Sequence, residues 1–174
     1  MTFGRFDPNR RGPSVSGICG VLFLISLAYV VGFLAFRYYV GYTFERDIDA
    51  WMHRAQVAAD AEDIREYMQH YKAGLESRHL TTGYWAVYFT RPDNSYELHY
   101  RSVVRVLERL EYVVKMEKKS VEYQTALDDI RGTLRELPDL VSGYLWVSFW
   151  FLQILCWAGG GFAMLAFAGW ASKL

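Results

Sequence analysis

The chain has 174 residues, and its 19 Lys and Arg residues balance its 19 Asp and Glu residues, so the formal net charge is zero. This balance indicates no nucleic-acid partner, because nucleic-acid-binding domains carry clustered basic residues in excess. The mean hydropathy is also zero, but that value averages two apolar ends and a strongly charged middle. The sequence predicts an all-α membrane protein, in which two transmembrane helices flank an extracytoplasmic helical hairpin or small bundle.

Residues 1–14 are polar and are predicted to form a short cytoplasmic tail. Residues 15–40 are predicted to form the first transmembrane helix, because no charged residue occurs from Val15 to Phe36. A cleaved signal peptide is disfavoured, since the apolar stretch is too long and no small-residue cleavage site follows it. The arginines ahead of this helix favour a cytoplasmic N-terminus.

Residues 139–171 are predicted to form the second transmembrane helix, followed by a cytoplasmic end at 172–174. Both termini are then cytoplasmic, and residues 41–138 form an extracytoplasmic domain at the cell membrane. The uncharged stretch Gly143–Ala171 is longer than a bilayer core requires. We therefore expect tilt, an exit at one interface or a bend near Gly159–Gly161 to absorb the excess length.

The middle domain is predicted to be helical at about 44–79, about 95–118 and about 120–137. A polar stretch before Ser120 separates the last two helices. The intervening connector, 80–94, is rich in aromatic residues and ends in turn-forming residues. Its aromatic side chains are predicted to form a patch that meets a partner. They are Tyr84, Trp85, Tyr88 and Phe89.

The segment 95–118 carries apolar residues at alternating spacings of four and three, the pattern of a heptad seam. This seam is predicted to face a neighbouring helix. Its members are Tyr96, Tyr100, Val103, Leu107, Leu110 and Val114.

Two groups of like charge are predicted to face each other, within one chain or between subunits. An arginine stripe at four-residue spacing is unfavourable on an isolated helix, which indicates an acidic partner. The alternative is that both groups are independently solvated. The acidic group is Asp60, Glu62, Asp63 and Glu66, and the basic group is Arg101, Arg105 and Arg109.

Two pairs of residues have the spacing of metal ligands on one face of a helix, Asp49 with His53 and Glu66 with His70. They lie too far apart along one helix to meet, so surface or locally paired histidines are the simpler interpretation. No nucleophile motif, phosphate-binding loop or dinucleotide fingerprint occurs. The sequence therefore implies no cofactor and predicts no enzymatic activity.

Small residues at helical spacing in both apolar segments predict close helix packing in lipid. This packing would join the two spans of one chain or different subunits. Gln153 is predicted to hydrogen-bond across helices. The predicted packing residues are Ala28, Gly32, Gln153, Ala158, Gly159, Ala163 and Ala166.

These features favour a non-catalytic integral membrane subunit that assembles with copies of itself or within a larger membrane complex. A sensor-type extracytoplasmic module is the main competing interpretation, although only on grounds of topology. The same features are also compatible with a subunit that contributes to a metal site and with an oligomeric channel.

Overall fold

The computed structural model describes residues 15–171, apart from the side chains of Val15, Ser16, Ala166 and Trp170. The predicted cytoplasmic segments, 1–14 and 172–174, lie outside the described residues. Within the described range the chain is all-helical and contains no β-strand. Tyr84 and Ser95 form an isolated antiparallel bridge.

The helices follow one another closely along the chain. They are α1 (Val15–Phe44), a π-helical turn (Glu45–Asp49), α2 (Ala50–Val57), α3 (Ala61–Ser77), a 3-10 turn (Pro92–Asn94), α4 (Tyr96–Val113), α5 (Val121–Glu136) and α6 (Val141–Ala171). Helices α1 and α6 each contain a stretch that is long and apolar enough to cross a membrane.

Packing divides the described residues into two compact units. We call residues 15–36 with 151–171 the apolar pair, and residues 37–150 the bundle unit. In the bundle unit α3 packs against α2 and α4, and α5 packs against the same two helices. The side chains between these helices form the core. Its largest fully buried members are Tyr71, Tyr123, Phe44, Ile48, Ile64, Met68, Leu75, Leu110, Leu127, Ile130, Leu134 and Leu140.

The predicted continuous helix at 44–79 is wrong, because the chain leaves the helical conformation between α2 and α3. Ala58 has an extended backbone with ψ of 143°. The guanidinium of Arg131, in α5, donates to the carbonyl oxygens of Ala58, at 2.6 Å, and Ala59, at 3.0 Å. The Tyr123 hydroxyl accepts from the Ala61 N–H at 3.0 Å. Since α5 satisfies backbone groups that the break exposes, no glycine or proline is needed there.

The predicted seam of α4 is only partly correct. Tyr96, Val103 and Leu110 are buried, but Tyr100, Leu107 and Val114 are partly exposed at the edge of the core. Their places at the centre of the buried stripe are taken by His99, Val106 and Val113. Helix α4 contacts both α3 and α5. Its buried face is therefore wider than a two-helix seam and is rotated towards these residues.

Local interactions determine where α3 ends and where α4 and α5 begin. Helix α3 ends where His79 adopts a left-handed φ of 57°, and the Leu80 N–H donates to the Leu75 carbonyl at 2.9 Å. Helices α4 and α5 begin at side-chain caps. The Ser95 hydroxyl accepts from the Leu98 N–H, and the Ser120 hydroxyl accepts from the Tyr123 N–H at 3.0 Å.

Helix α6 is interrupted near its start rather than at the glycine triplet. Phe149 has φ of −126° and ψ of 20°, outside the helical region. Of the three expected ways to absorb the excess length, the bend near Gly159–Gly161 is not observed, since these residues continue the helix.

Candidate functional site

A pocket of about 570 Å³ lies in the bundle unit beside the π-helical turn. The π-helical turn supplies Glu45 and Asp49, and the loop between α5 and α6 supplies Asp139. Other walls are formed by α2, through His53, and by α3, through Tyr71. Its volume falls in the range of small-molecule binding sites in proteins. We call this cavity the carboxylate pocket.

Asp49 is the buried carboxylate of this pocket, with 9% of its surface exposed. Burial raises its pKa to about 7, and the nearby carboxylates of Asp139 and Glu45 add to the shift. Both effects disfavour the charged form, the first by desolvation and the second by like-charge repulsion. Asp49 is therefore close to its titration point at neutral pH.

Asp139 is held in place by the backbone of the next helix. Its Oδ1 accepts a hydrogen bond from the Val141 N–H at 2.9 Å, at the start of α6. Its negative charge is also close enough to Asp49 to raise the pKa of that carboxyl group. Two neighbouring carboxylates repel each other, which favours protonation of one of them.

The basic side chain that lines the pocket is engaged elsewhere. Arg46 donates from Nε to Asp47 Oδ1 at 2.7 Å. Asp47 also lies 3.5 Å from a guanidinium nitrogen of Arg78. Among the described residues, no basic side chain forms an ion pair with Asp49.

A buried hydrogen bond runs from the wall of the pocket into the core. The Tyr71 hydroxyl and His99 Nε2 lie 2.8 Å apart. Burial raises the pKa of Tyr71 and lowers the pKa of His99 to about 4, so both groups are neutral at pH 7. The Nδ1 atom of His99 is buried and has no hydrogen-bond partner among the described residues. Two tautomers are compatible with this geometry, with either His99 nitrogen carrying the proton.

The residues considered as metal ligands do not form one cluster. Asp49 and His53 line the carboxylate pocket, whereas the ring of His70 stacks on Trp51 with centroids 4.4 Å apart. No set of three or more His, Cys, Asp and Glu side chains in the described part of the chain is arranged to hold a metal ion. Glu66 lies on α3, and within residues 15–171 it forms no ion pair.

Within the described part of one chain, the predicted pairing of the acidic group with the arginine stripe is not observed, and pairing between subunits stays a prediction. Arg109 lies 3.2 Å from Asp129 of α5, and Arg101 pairs with Glu97 of its own helix. Lys118 instead contacts the acidic group, at 3.1 Å from Glu62 and 3.6 Å from Asp60. The exposure of these side chains makes each pair weak.

The groove between α3 and α4 is lined by other charged residues. Helix α3 contributes Arg65, Lys72 and Glu76, while α4 contributes Glu108 and Glu111. Asp63, Glu66 and Arg105 form no ion pair among the described residues. The interhelical faces differ from the prediction because the break between α2 and α3 resets the position of α3.

The predicted aromatic patch is divided between the core and the surface. Trp85 packs against Tyr96, with ring centroids 5.3 Å apart, and covers Gly143, where an added Cβ would lie 2.5 Å from Trp85 Cδ1. Tyr88 and Phe89 are 75% and 77% exposed, and Tyr84 is 45% exposed. A patch that meets a partner is therefore limited to the three exposed residues.

The apolar pair is joined through α6 residues that the spacing rule identified. The Ser26 hydroxyl donates to the Gly159 carbonyl at 2.6 Å, and a Cβ at Gly159 would touch Tyr29 at 3.5 Å. Ala163 and Gln153 are buried. Ala166 is also predicted to pack here, but its side chain lies outside the described atoms.

The remaining small residues of the prediction do not lie at this contact. Ala28, Gly32 and Ala158 are exposed, and a Cβ at Gly32 would meet nothing within 4 Å. The α1 face that contacts α6 instead carries Phe23, whose ring centroid lies 5.5 Å from that of Phe167.

Sequence reasoning misses the carboxylate pocket. It identifies Asp49 only as a candidate metal ligand, and it does not identify Glu45, Tyr71 or Asp139. Asp139, which follows Pro138, is visible in the sequence as a candidate, but its proximity to Asp49 depends on how the helices of the bundle unit pack.

In comparisons with protein-family models, curated proteins and solved structures, none matches this chain.

Proposed function

We propose that the chain is a non-catalytic integral membrane subunit that assembles with copies of itself or with other membrane proteins. Its spans are 15–40 and 139–171, both termini are cytoplasmic, and residues 41–138 form an extracytoplasmic domain at the cell membrane. The apolar surface of α1 and α6 supports this proposal. Only 6% of the apolar window in α1 and 12% of that in α6 is buried, whereas a core helix of a soluble protein buries most of its apolar surface.

The single observation that carries the assembly function is the unused small-residue face of α1. Gly159 packs beside Ser26 and Tyr29, so one small-residue surface serves the contact within the chain. Ala28 and Gly32 form a second such surface that remains exposed. Small residues one turn apart let another helix approach closely in lipid, where packing rather than water exclusion drives association.

The assembly function is tested by placing bulk on this face. Ala28→Ile and Gly32→Ile should each lower the oligomer fraction in detergent, measured by native mass spectrometry, or abolish co-purification of a partner. Leu34→Phe is the matched control, because Leu34 is exposed on a different face of α1, and it should leave assembly unchanged. A wild-type chain that is monomeric and without a bound protein would refute the proposal, as would equal effects of all three substitutions.

The topology is tested by cysteine labelling in a background with Cys19→Ser and Cys156→Ser. A Tyr88→Cys variant should react with a membrane-impermeant maleimide in intact cells. A Ser14→Cys variant should react only after the membrane is permeabilised. The reverse pattern would invert the proposed orientation, and labelling of both positions in intact cells would contradict two spans.

A further inference from the structure

Asp49 is buried beside other acceptors, and no cation among the described residues balances its charge. It is nine-tenths buried and lines the carboxylate pocket, and its polar side-chain neighbour is the carboxyl group of Asp139. A buried carboxylate is stable only when it is protonated, hydrogen-bonded by a donor or paired with a cation. In this chain the neighbouring side chains that raise the pKa of Asp49 are Asp139 and Glu45, which are themselves carboxylates. The pocket therefore requires either a proton or a cationic group from outside.

The pocket has the size and lining of a site for an organic cation. Its volume of about 570 Å³ is more than ten times the volume of one water molecule, so a single metal ion would leave it mostly empty. Met52, Leu137 and Val141 give it apolar walls, and Tyr42 adds an aromatic ring. Such walls suit an apolar body, while the acidic wall suits a positive charge.

We propose that the carboxylate pocket binds a primary ammonium group carried on a small apolar body, with the carboxylates of Asp49 and Asp139 as its counter-charges. The three N–H donors of a primary ammonium can bridge two carboxylates that otherwise repel each other. The same chemistry is offered by a soluble amine and by the ethanolamine headgroup of a phospholipid. This site is independent of the assembly function proposed above.

Proton and ammonium compete for the same carboxylates, which makes binding depend on pH. The groups that face Asp49 are Glu45 and Arg46 on its own turn, Tyr42 of α1, His53 of α2, Tyr71 of α3 and Asp139 of the loop before α6. Since the pKa of Asp49 is raised to about 7, we expect tighter ammonium binding at about pH 8 than at about pH 5.5. The Asp49→Asn variant should lose this pH dependence of ammonium binding.

Calorimetric titration of the full chain in phosphatidylcholine nanodiscs tests the site. The probe is phenethylamine, and 2-phenylethanol is its uncharged counterpart. We expect the wild-type chain to bind the amine and not the alcohol. Asp49→Asn and Asp139→Asn should each weaken amine binding by about tenfold or more. Asp93→Asn, at an exposed aspartate outside the pocket, should leave it unchanged.

Three results would overturn the proposal. They are the absence of amine binding to the wild-type chain, equal binding of amine and alcohol, and amine binding that neither aspartate substitution weakens. Asp49→Asn removes like-charge repulsion and is expected to fold, which circular dichroism checks, and Asp139→Asn provides an independent variant.

Nanodiscs that contain phosphatidylethanolamine identify the source of the ammonium group. If the lipid headgroup occupies the pocket, these nanodiscs should weaken phenethylamine binding to the wild-type chain relative to phosphatidylcholine nanodiscs. Unchanged binding in the two lipids, with the aspartate dependence intact, would identify a soluble amine as the ligand.

Discussion

The bundle unit and the apolar pair place large apolar side chains in opposite environments. In the bundle unit Ile64, Leu75 and Leu110 are completely buried, whereas in the apolar pair Leu24 is 63% exposed and Met164 is 76% exposed. The first unit is stabilised mainly by the removal of apolar surface from water. The second makes few contacts of that kind and depends on close backbone approach and hydrogen bonds. The exposed apolar surface of the apolar pair supports the proposal that these helices lie in lipid.

The largest expected effect distinguishes the two units by the same substitution. Leu110→Ala removes a fully buried side chain from the bundle unit and should lower its free energy of unfolding by about 2–5 kcal/mol. Leu24→Ala, at an exposed position of α1, should change it by less than about 0.5 kcal/mol. Urea unfolding of the detergent-solubilised chain, followed by circular dichroism, measures both. Equal losses of unfolding free energy in the two variants would contradict the proposed difference between the bundle unit and the apolar pair.

The helical character of both units is predictable from the sequence because periodicity and composition act locally. The polar break before α5 is predicted at Ser120, and the structure has its capping residue there. The break between α2 and α3 is not predictable in this way, since it contains no glycine or proline. It is stabilised by Arg131 and Tyr123, which lie more than sixty residues further along the chain.

The predicted pairing of opposite charges within one chain depends on that break. A continuous helix would set the acidic group opposite the arginine stripe, but the turn at Ala58 repositions α3, and Lys118 takes the acidic partners instead. The carboxylate pocket depends on the same closure, because it brings Asp139 to Asp49 across ninety positions of the sequence. In the apolar pair, spacing correctly selects Gly159 but cannot indicate which face of α1 it meets.

A second prediction concerns the stability that the bundle unit loses when the buried carboxyl group of Asp49 is ionised. The pKa of Asp49 is raised from 3.8 to about 7, so the folded chain binds this proton more tightly than the unfolded chain does. The stability that protonated Asp49 contributes is therefore fully present below about pH 4 and is lost as the pH rises through about 7. Asp49→Asn should raise the free energy of unfolding at about pH 8 by about 1–3 kcal/mol. At about pH 4 it should have little effect, because the wild-type carboxyl group is then protonated.

His99 gives the opposite pH dependence and serves as the internal comparison. Its pKa is lowered from 6.5 to about 4, so the stability that its neutral form provides is present above about pH 6.5 and is lost as the pH falls through about 4. In the Asp49→Asn variant, the free energy of unfolding should rise steadily from about pH 4 to about pH 6.5. A variant whose stability still falls between about pH 5 and about pH 8 would show that Asp49 is not the group responsible.

The smallest expected effect concerns the hydrogen bonds of the apolar pair. Ser26→Ala removes the 2.6 Å bond to the Gly159 carbonyl and should destabilise the pair by about 0.5–1.5 kcal/mol, the range for a single hydrogen bond in a membrane helix contact. Tyr29→Phe removes a longer bond of 3.3 Å to the Leu152 carbonyl and should cost less. Titration of dodecylmaltoside micelles with SDS, followed by tryptophan fluorescence, measures both. If neither substitution shifts the transition, α1 and α6 are held together by packing at Gly159 and Ala163 alone, since an amide carbonyl in a helix already has its backbone partner.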